Sequence, residues 1–303
     1  MSTHSLRPST LPSHAAWRRQ VKQLKRVLTP EALAVRLSAL TALGIWTGIA
    51  LVPLLILIGV ALRTRLDLLR DPLGLPTHPL WSNFADAWNN ADLGTAFVNS
   101  CIVTGCSLVG LVILGALAAY PLARRTGRWS SVVFYYFVAG IIVPFQLIII
   151  PLYREIKAVG LLNTFTGVIL VSIAGALPLV VFLFTGFIRA IPREVEEAAV
   201  IDGAGQLRVF WQIVFPLMRP ITSTVIITSL LVVWNDFFLP LLFLQTDDKR
   251  TLPLAIYSFV GQYNNAWPLI FASVIMASLP LILIFLFLQR YFIRGLASGA
   301  VRG

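Results

Sequence analysis

A chain of 303 residues that is 57% hydrophobic and only 12% charged, with a mean hydropathy of +0.83, has too few polar side chains to cover a soluble core of that size. These figures exclude an ordinary soluble domain and make the chain an all-α membrane protein. The formal net charge of +11 does not point to nucleic acid, since no basic stripe is interleaved with aromatic residues.

Residues 1–36 form a polar segment containing Arg18, Arg19, Lys22, Lys25 and Arg26, and the apolar run behind it is too long for a signal-peptide core. The segment is expected to be a retained, basic cytoplasmic tail. Two readings of it stay open: a helix from Ala15 to about Leu28 lying on the anionic leaflet, or a disordered tail. Residues 37–303 form the membrane domain. A bilayer crossing takes roughly 20 apolar residues, and six runs qualify: Leu37–Leu62, Leu93–Ala123, Trp129–Leu152, Ala158–Ile188, Ile221–Gln245 and Trp267–Gln289. The second holds Cys101 and Cys106, whose i,i+5 spacing puts them on different faces, as expected of packing residues. Placing the N-terminus inside puts 17 of the 24 Lys and Arg on the cytoplasmic side. The positive-inside rule therefore selects an N-in, C-in multi-pass protein of the cytoplasmic membrane.

The chemistry of an enzyme is missing. His4, His14 and His78 stand in no HExxH-like pattern, no GxxxxGK[ST] loop occurs, and neither catalytic residues nor a metal site can be nominated. The six runs hold one charge, Asp236, where an ion-coupled carrier commonly has several. Asn235 and Asp236 are expected to face the bundle interior as candidates for a solute pathway, against the simpler reading that Asp236 only ties helices together. Trp234 and Phe237 are expected to be packing or interface aromatics, with stacking on a solute ring left open as the alternative.

Between the fourth and fifth runs lies the polar stretch "EVEEAAVIDGAGQLRVFWQIVFPLMRP", Glu194 to Pro220. Pro192 suits a first turn, and Glu194, Glu196 and Glu197 set negative charge at the positive end of a helix dipole. Val195, Ala198, Ala199 and Asp202 fall on one narrow face, Gly203 permits a turn with positive φ, and Leu207, Phe210, Trp211 and Val214 fall on a second face expected to lie against the bundle. The result is a bent pair of short helices that offers its small-residue face to a partner or rests on lipid.

The spacing Glu197-Ala198-Ala199, three residues, Gly203, nine residues, Ile213-x-x-Pro216 resembles the EAA loop of ATP-binding-cassette (ABC) importer permeases, EAA-x3-G-x9-I-x-L-P, with Phe215 where the family usually has Leu. From about Trp81 onward, "PLYREIKAVGLLNT", "WNDFFLPLLF", "TLPLAIYSFVGQY" and the ending "LQRYFIRGLASGAVRG" are similar to maltose-type carbohydrate permeases, with Arg302 where the family's GAVKG ending has Lys. The resemblance implies six crossings with a cytoplasmic coupling helix in the loop 190–220 between crossings 4 and 5, and an ATPase contact through Glu197, Ala198, Ala199, Asp202, Gly203 and Pro216. It also implies a homologous second permease, an ATPase dimer that binds the ATP and Mg this chain does not, and an extracellular sugar-binding protein. The expected function is the permease subunit of a sugar importer working by alternating access; the alternatives are another solute such as glycerol phosphate, or an ion-coupled secondary transporter. Arg290 to Gly303 is expected to be a cytoplasmic tail near the ATPase, too rich in glycine for a packed helix.

Overall fold

The computed structural model describes residues 30–261 and 265–300, with side chains over 34–261 and 265–287. The reading of Ala15 to Leu28 lies outside the described residues. Every element among them is helical. Four helices are long and apolar enough to cross a membrane, or up to six if each of two sharply bent pairs counts as one span.

The chain divides into a unit ending at Leu57 and a unit starting at Ile58. Helix α1, Pro30–Ala61, begins seven residues before the expected first crossing. Apart from Arg36 at its start and Ser38, Thr41 and Thr47, whose hydroxyls donate back to their own helix, its side chains from Val35 to Leu55 are apolar, and its large apolar side chains are exposed all round, the surface of a helix made for lipid or for another chain.

The second unit opens with two short helices, α2 (Arg65–Arg70) and α3 (Ser82–Asn90). The core is a pair of long helices, α4 (Leu93–Arg124) and α7 (Phe165–Ala190). They approach closely because α4 presents Gly110, Gly115, Ala116, Ala119 and Ala123 to Ile173, Val180, Phe184 and Ile188. Lipid offers no hydrophobic drive between helices, so small residues that allow close backbone approach supply the packing. A Cβ on Gly115 would stand 2.5 Å from Val180 Cγ1.

Three expected crossings are corrected. The third is not continuous: α5 (Arg128–Ile142) and α6 (Phe145–Ala158) meet at 102°. Pro144 drives Val143 to extended backbone (φ −73°, ψ 118°) and cannot donate to the helical ladder. The fourth starts at Phe165 rather than Ala158, because Gly160 and Asn163 take positive φ and Thr164 caps the helix by accepting from Gly167 N at 3.1 Å. The fifth, α10 (Arg219–Trp234), stops eleven residues short of Gln245, and α11 (Phe238–Phe243) and α12 (Leu252–Tyr257) follow.

The last helix, α13, runs from Trp267 to Ala300. The expected unstructured glycine-rich ending is therefore helical through Ala300. Two glycines cost about 1 kcal/mol each against alanine, which the neighbouring Leu296 and Ala297, both strong helix formers, help to offset.

Candidate functional site

The stretch after α7 folds as α8 (Glu194–Ile201) and α9 (Gln206–Leu217). Gly203 has φ 84°; its N–H donates to Val200 O at 3.0 Å, and Ala204 N donates to Ala199 O at 2.9 Å. These two bonds form a Schellman cap, which needs a left-handed residue where Gly203 stands. A Cβ there would meet nothing within 4 Å, so the glycine is set by backbone conformation and not by crowding inside the chain.

The three glutamates of the first turn part ways. Glu194 and Glu197 are exposed. Glu196 turns inward: its carboxylate accepts from Tyr120 Oη at 2.9 Å and from Arg124 Nε at 2.7 Å, with only 12% and 13% of the two charged side chains exposed. Arg124 also donates to Ile191 O at 3.1 Å, and Arg193 donates to Arg124 O at 3.1 Å. The end of α4 thus staples α8 to the bundle. Its place in the chain marks Glu196 only as a helix-dipole charge; nothing near it signals Tyr120 or Arg124, which lie over 70 residues away.

With Glu196 anchored, the opposite face points away from the bundle. Glu197, Ala198, Asp202 and Gly203 are exposed, as are Val195, Val200, Ile201 (86%) and Leu207 (74%). Ala199 is half-buried and packs on the core, so the expected face is split between partner side and bundle side.

The second face is also corrected. Phe210 and Val214 are buried, but Leu207 and Trp211 are exposed and Val209 and Met218 take the inward places. The reason is a π-helical turn over Phe210–Val214, in which Phe215 N donates to Phe210 O. Pro216 has no N–H and its ring would crowd the carbonyl four residues back; the wider turn relieves that clash and rotates the inward face off the 3.6-residue pattern. Pro216 itself is half-buried at the end of this turn.

The pathway candidates lie in the break after α10. Asn235 is exposed and its Nδ2 donates to Leu231 O at 2.8 Å. Asp236 is half-buried and its Oδ1 accepts from Phe238 N at 2.9 Å and Leu239 N at 3.2 Å, capping α11. The two neighbours look into different spaces. Asn235 opens on a pocket of about 320 Å³ with Trp234, Phe237, Pro253, Tyr257 and Ser278. Asp236 borders a separate cavity of about 10 Å³ with the hydroxyl residues Ser100, Thr104, Ser172 and Thr251. Trp234 is buried and donates from Nε1 to Ala277 O at 3.2 Å, as a packing residue does. Phe237 stands 5.0 Å from the Tyr257 ring, centroid to centroid, and nothing in the chain near Phe237 signals Tyr257 as its partner. Cys101 and Cys106 are exposed and unbonded, and among the described residues no three His, Cys, Asp or Glu side chains cluster as metal ligands.

The family model of the binding-protein-dependent transport system inner membrane component matches residues 111–298. The chain is 43% identical over 253 residues to the melibiose/raffinose/stachyose import permease protein MelC of Bacillus subtilis (strain 168), covering 83% of this chain and 91% of that one. It is 35% identical over 260 residues to the diacetylchitobiose uptake system permease protein NgcG of Streptomyces coelicolor, covering 85% and 86%. Among solved structures, a bacterial ABC transporter involved in the import of the acidic polysaccharide alginate shares the fold with a TM-score of 0.76, over 87% of this chain and 98% of that chain at 20% identity.

Proposed function

Because this chain belongs to the family of binding-protein-dependent transport system inner membrane components, we propose that it is the subunit that lines the path of a sugar and receives the ATPase stroke through α8. It is a multi-pass membrane permease, a transport subunit and not an enzyme, and it works with other subunits of an ABC importer. The proposed partners are a homologous second permease, an ATPase dimer that carries the ATP and Mg, and an extracellular sugar-binding protein. The solute class is a sugar, in keeping with melibiose, raffinose and stachyose for MelC and diacetylchitobiose for NgcG.

One observation carries the coupling role: α8 is fixed to α4 through Glu196 while Glu197, Ala198, Asp202 and Gly203 stay uncovered. A rigid attachment on one side and a small-residue face on the other is what a lever between two subunits requires, since push on the exposed face passes to the pair α4–α7. In the N-in arrangement this face is cytoplasmic. Uptake of melibiose, raffinose, diacetylchitobiose and maltose by cells with and without this chain tests the reading. ATP-dependent uptake of at least one sugar should vanish with the chain; unchanged uptake of all four, with loss of a non-sugar solute instead, would refute the sugar assignment.

A further inference from the structure

A pocket of about 700 Å³ opens where α4, α5 and α7 leave their apolar stretches. Among its lining residues are Arg124, Arg125, Arg189, Arg193 and one acid, Glu194. Arg124 is neutralised by Glu196. The other three guanidiniums keep donors to spare: Arg189 donates at 3.4 Å to Leu122 O, and Arg193 donates at 3.1 Å to Arg124 O. Arg125 makes no side-chain hydrogen bond or ion pair among the described residues. Each guanidinium has five N–H groups, so three arginines facing one carboxylate leave excess positive charge and unused donors in a single concavity. The hydroxyls of Thr126 and Ser131 border the same space.

Helix α5 gives Ser131 to this pocket, and one turn on, on nearly the same face, Tyr135 is exposed (66%). Helix α5 has no buried residue, and Trp129 (81%), Val132 (57%) and Tyr136 (77%) are exposed along it. Tryptophan at the end of an apolar span is the residue type that settles at headgroup level. The Arg189 guanidinium lies 4.7 Å over the ring of Phe134 on α5. A phosphate in the pocket and acyl chains along α5 would satisfy both surfaces at once; a soluble anion would satisfy only the first.

We infer that Arg125, Arg189 and Arg193 form a binding site for the phosphate headgroup of an anionic phospholipid, with its acyl chains laid on α5. The inference requires only that these spans cross a membrane, and is independent of the coupling role of α8. Basic pockets between transmembrane helices hold anionic headgroups by this combination of charge and chain contact.

The test uses the full chain with its co-expressed partner subunits, purified in detergent and supplied with equal amounts of phosphatidylglycerol and phosphatidylcholine, with bound lipid counted by mass spectrometry. Wild-type protein should retain phosphatidylglycerol selectively. Arg125→Gln with Arg193→Gln should weaken that retention on the order of thirtyfold, Arg125→Lys with Arg193→Lys should restore most of it, and Arg154→Gln, an exposed charge elsewhere, should leave it unchanged. If the double variant does not insert, Arg125→Gln alone, which breaks no contact within the described protein, should still weaken retention. Three results would overturn the inference: equal retention of the two lipids, inorganic phosphate binding as tightly as the lipid, or phosphatidylglycerol binding only after the ATPase subunit is stripped away. The last result would give the pocket to acidic residues of the protein partner.

Discussion

Arg124 donates to Glu196 at 2.7 Å, joining the last turn of α4 to the first turn of α8 across 72 positions of sequence. Both charges are largely withdrawn from water, so removing one leaves the other without compensation, a loss of about 3 kcal/mol. Glu196→Gln should therefore loosen α8 more than the exposed Glu197→Gln does. Hydrogen exchange of residues 194–204 in the purified complex checks this: faster exchange is expected in Glu196→Gln and in Arg124→Met, with the double variant no worse than either alone. Additive effects of the two substitutions would show that the pair does not act as a unit.

The pair also marks where sequence reading stopped. Helical periodicity and the glycine spacing locate α8 and its cap, and hydropathy locates the first, second and sixth apolar spans, because those are properties of neighbours in the chain. The inward turn of Glu196 was not legible, since its partners are distant and three glutamates in one turn look alike. The breaks at Pro144 and Asn235 were passed over because apolar residues continue across them, and hydropathy is blind to a lost hydrogen bond. The π turn at Phe210–Val214 moved Leu207 and Trp211 outward for a related reason: a 3.6-residue template cannot register an inserted residue, although Pro216 was the visible cause.

Gly203 stands at φ 84° with open space around its Cα. A β-branched side chain in that conformation costs of order 1–3 kcal/mol, whereas asparagine tolerates it. Gly203→Val should reach the membrane in normal amount yet lose about tenfold in solute-stimulated ATP hydrolysis, if the strain of the cap is relieved by misplacing α8. Gly203→Asn separates two causes. Activity near wild type would assign the requirement to the backbone; loss equal to that of valine would assign it to a partner surface that approaches the Cα.

Gly115 faces Val180 and Phe184 at the centre of the α4–α7 contact, with Phe184 carbons 3.5 Å from where a Cβ would stand. Overpacking at such a site typically costs 1–3 kcal/mol. Gly115→Val should lower the amount of folded protein and its thermal midpoint by several degrees in a detergent-based melting assay, whereas Gly105→Val, with nothing within 4 Å, should do neither. Equal melting of the two variants would remove the close-packing account of the core.

Outside the spans, α2 is started by a capping box in which Thr64 Oγ1 donates to Asp67 Oδ2 at 2.7 Å and accepts from Asp67 N at 3.0 Å. The Thr64 hydroxyl holds the Asp67 carboxyl below its ordinary value of 3.8, against a smaller desolvation, with the Thr64 amide, Arg63 and Arg70 adding to the effect. A depressed carboxylate stabilises the folded form above the unfolded pKa and loses that contribution as pH falls through the folded value. The start of α2 should thus open below about pH 4. Exchange at residues 65–70, corrected for intrinsic rates, should rise on acidification in wild type, and Thr64→Val should show a smaller pH response; an identical response would exclude the box as its source.

Asn235 and Asp236 are adjacent in sequence and open on different spaces, one on the aromatic pocket with Phe237 and Tyr257, the other on the small hydroxyl-lined cavity. A sugar needs an open wall with aromatic faces for its apolar ring surface and an amide for its hydroxyls, and only the first space offers both. In a protein whose Cys101 and Cys106 are replaced by alanine, Asn235→Cys should react with a water-soluble thiol reagent several times faster than Asp236→Cys, and bound sugar should slow only the former. Tyr257→Ala should cut sugar uptake by roughly tenfold through loss of stacking, while Asp236→Asn, which keeps an oxygen to accept from Phe238 and Leu239, should change uptake little. The reverse ranking, with position 236 labelled and sugar-protected and Tyr257→Ala neutral, would move the pathway to the hydroxyl-lined side and make the aromatic pocket a packing defect of the helix ends.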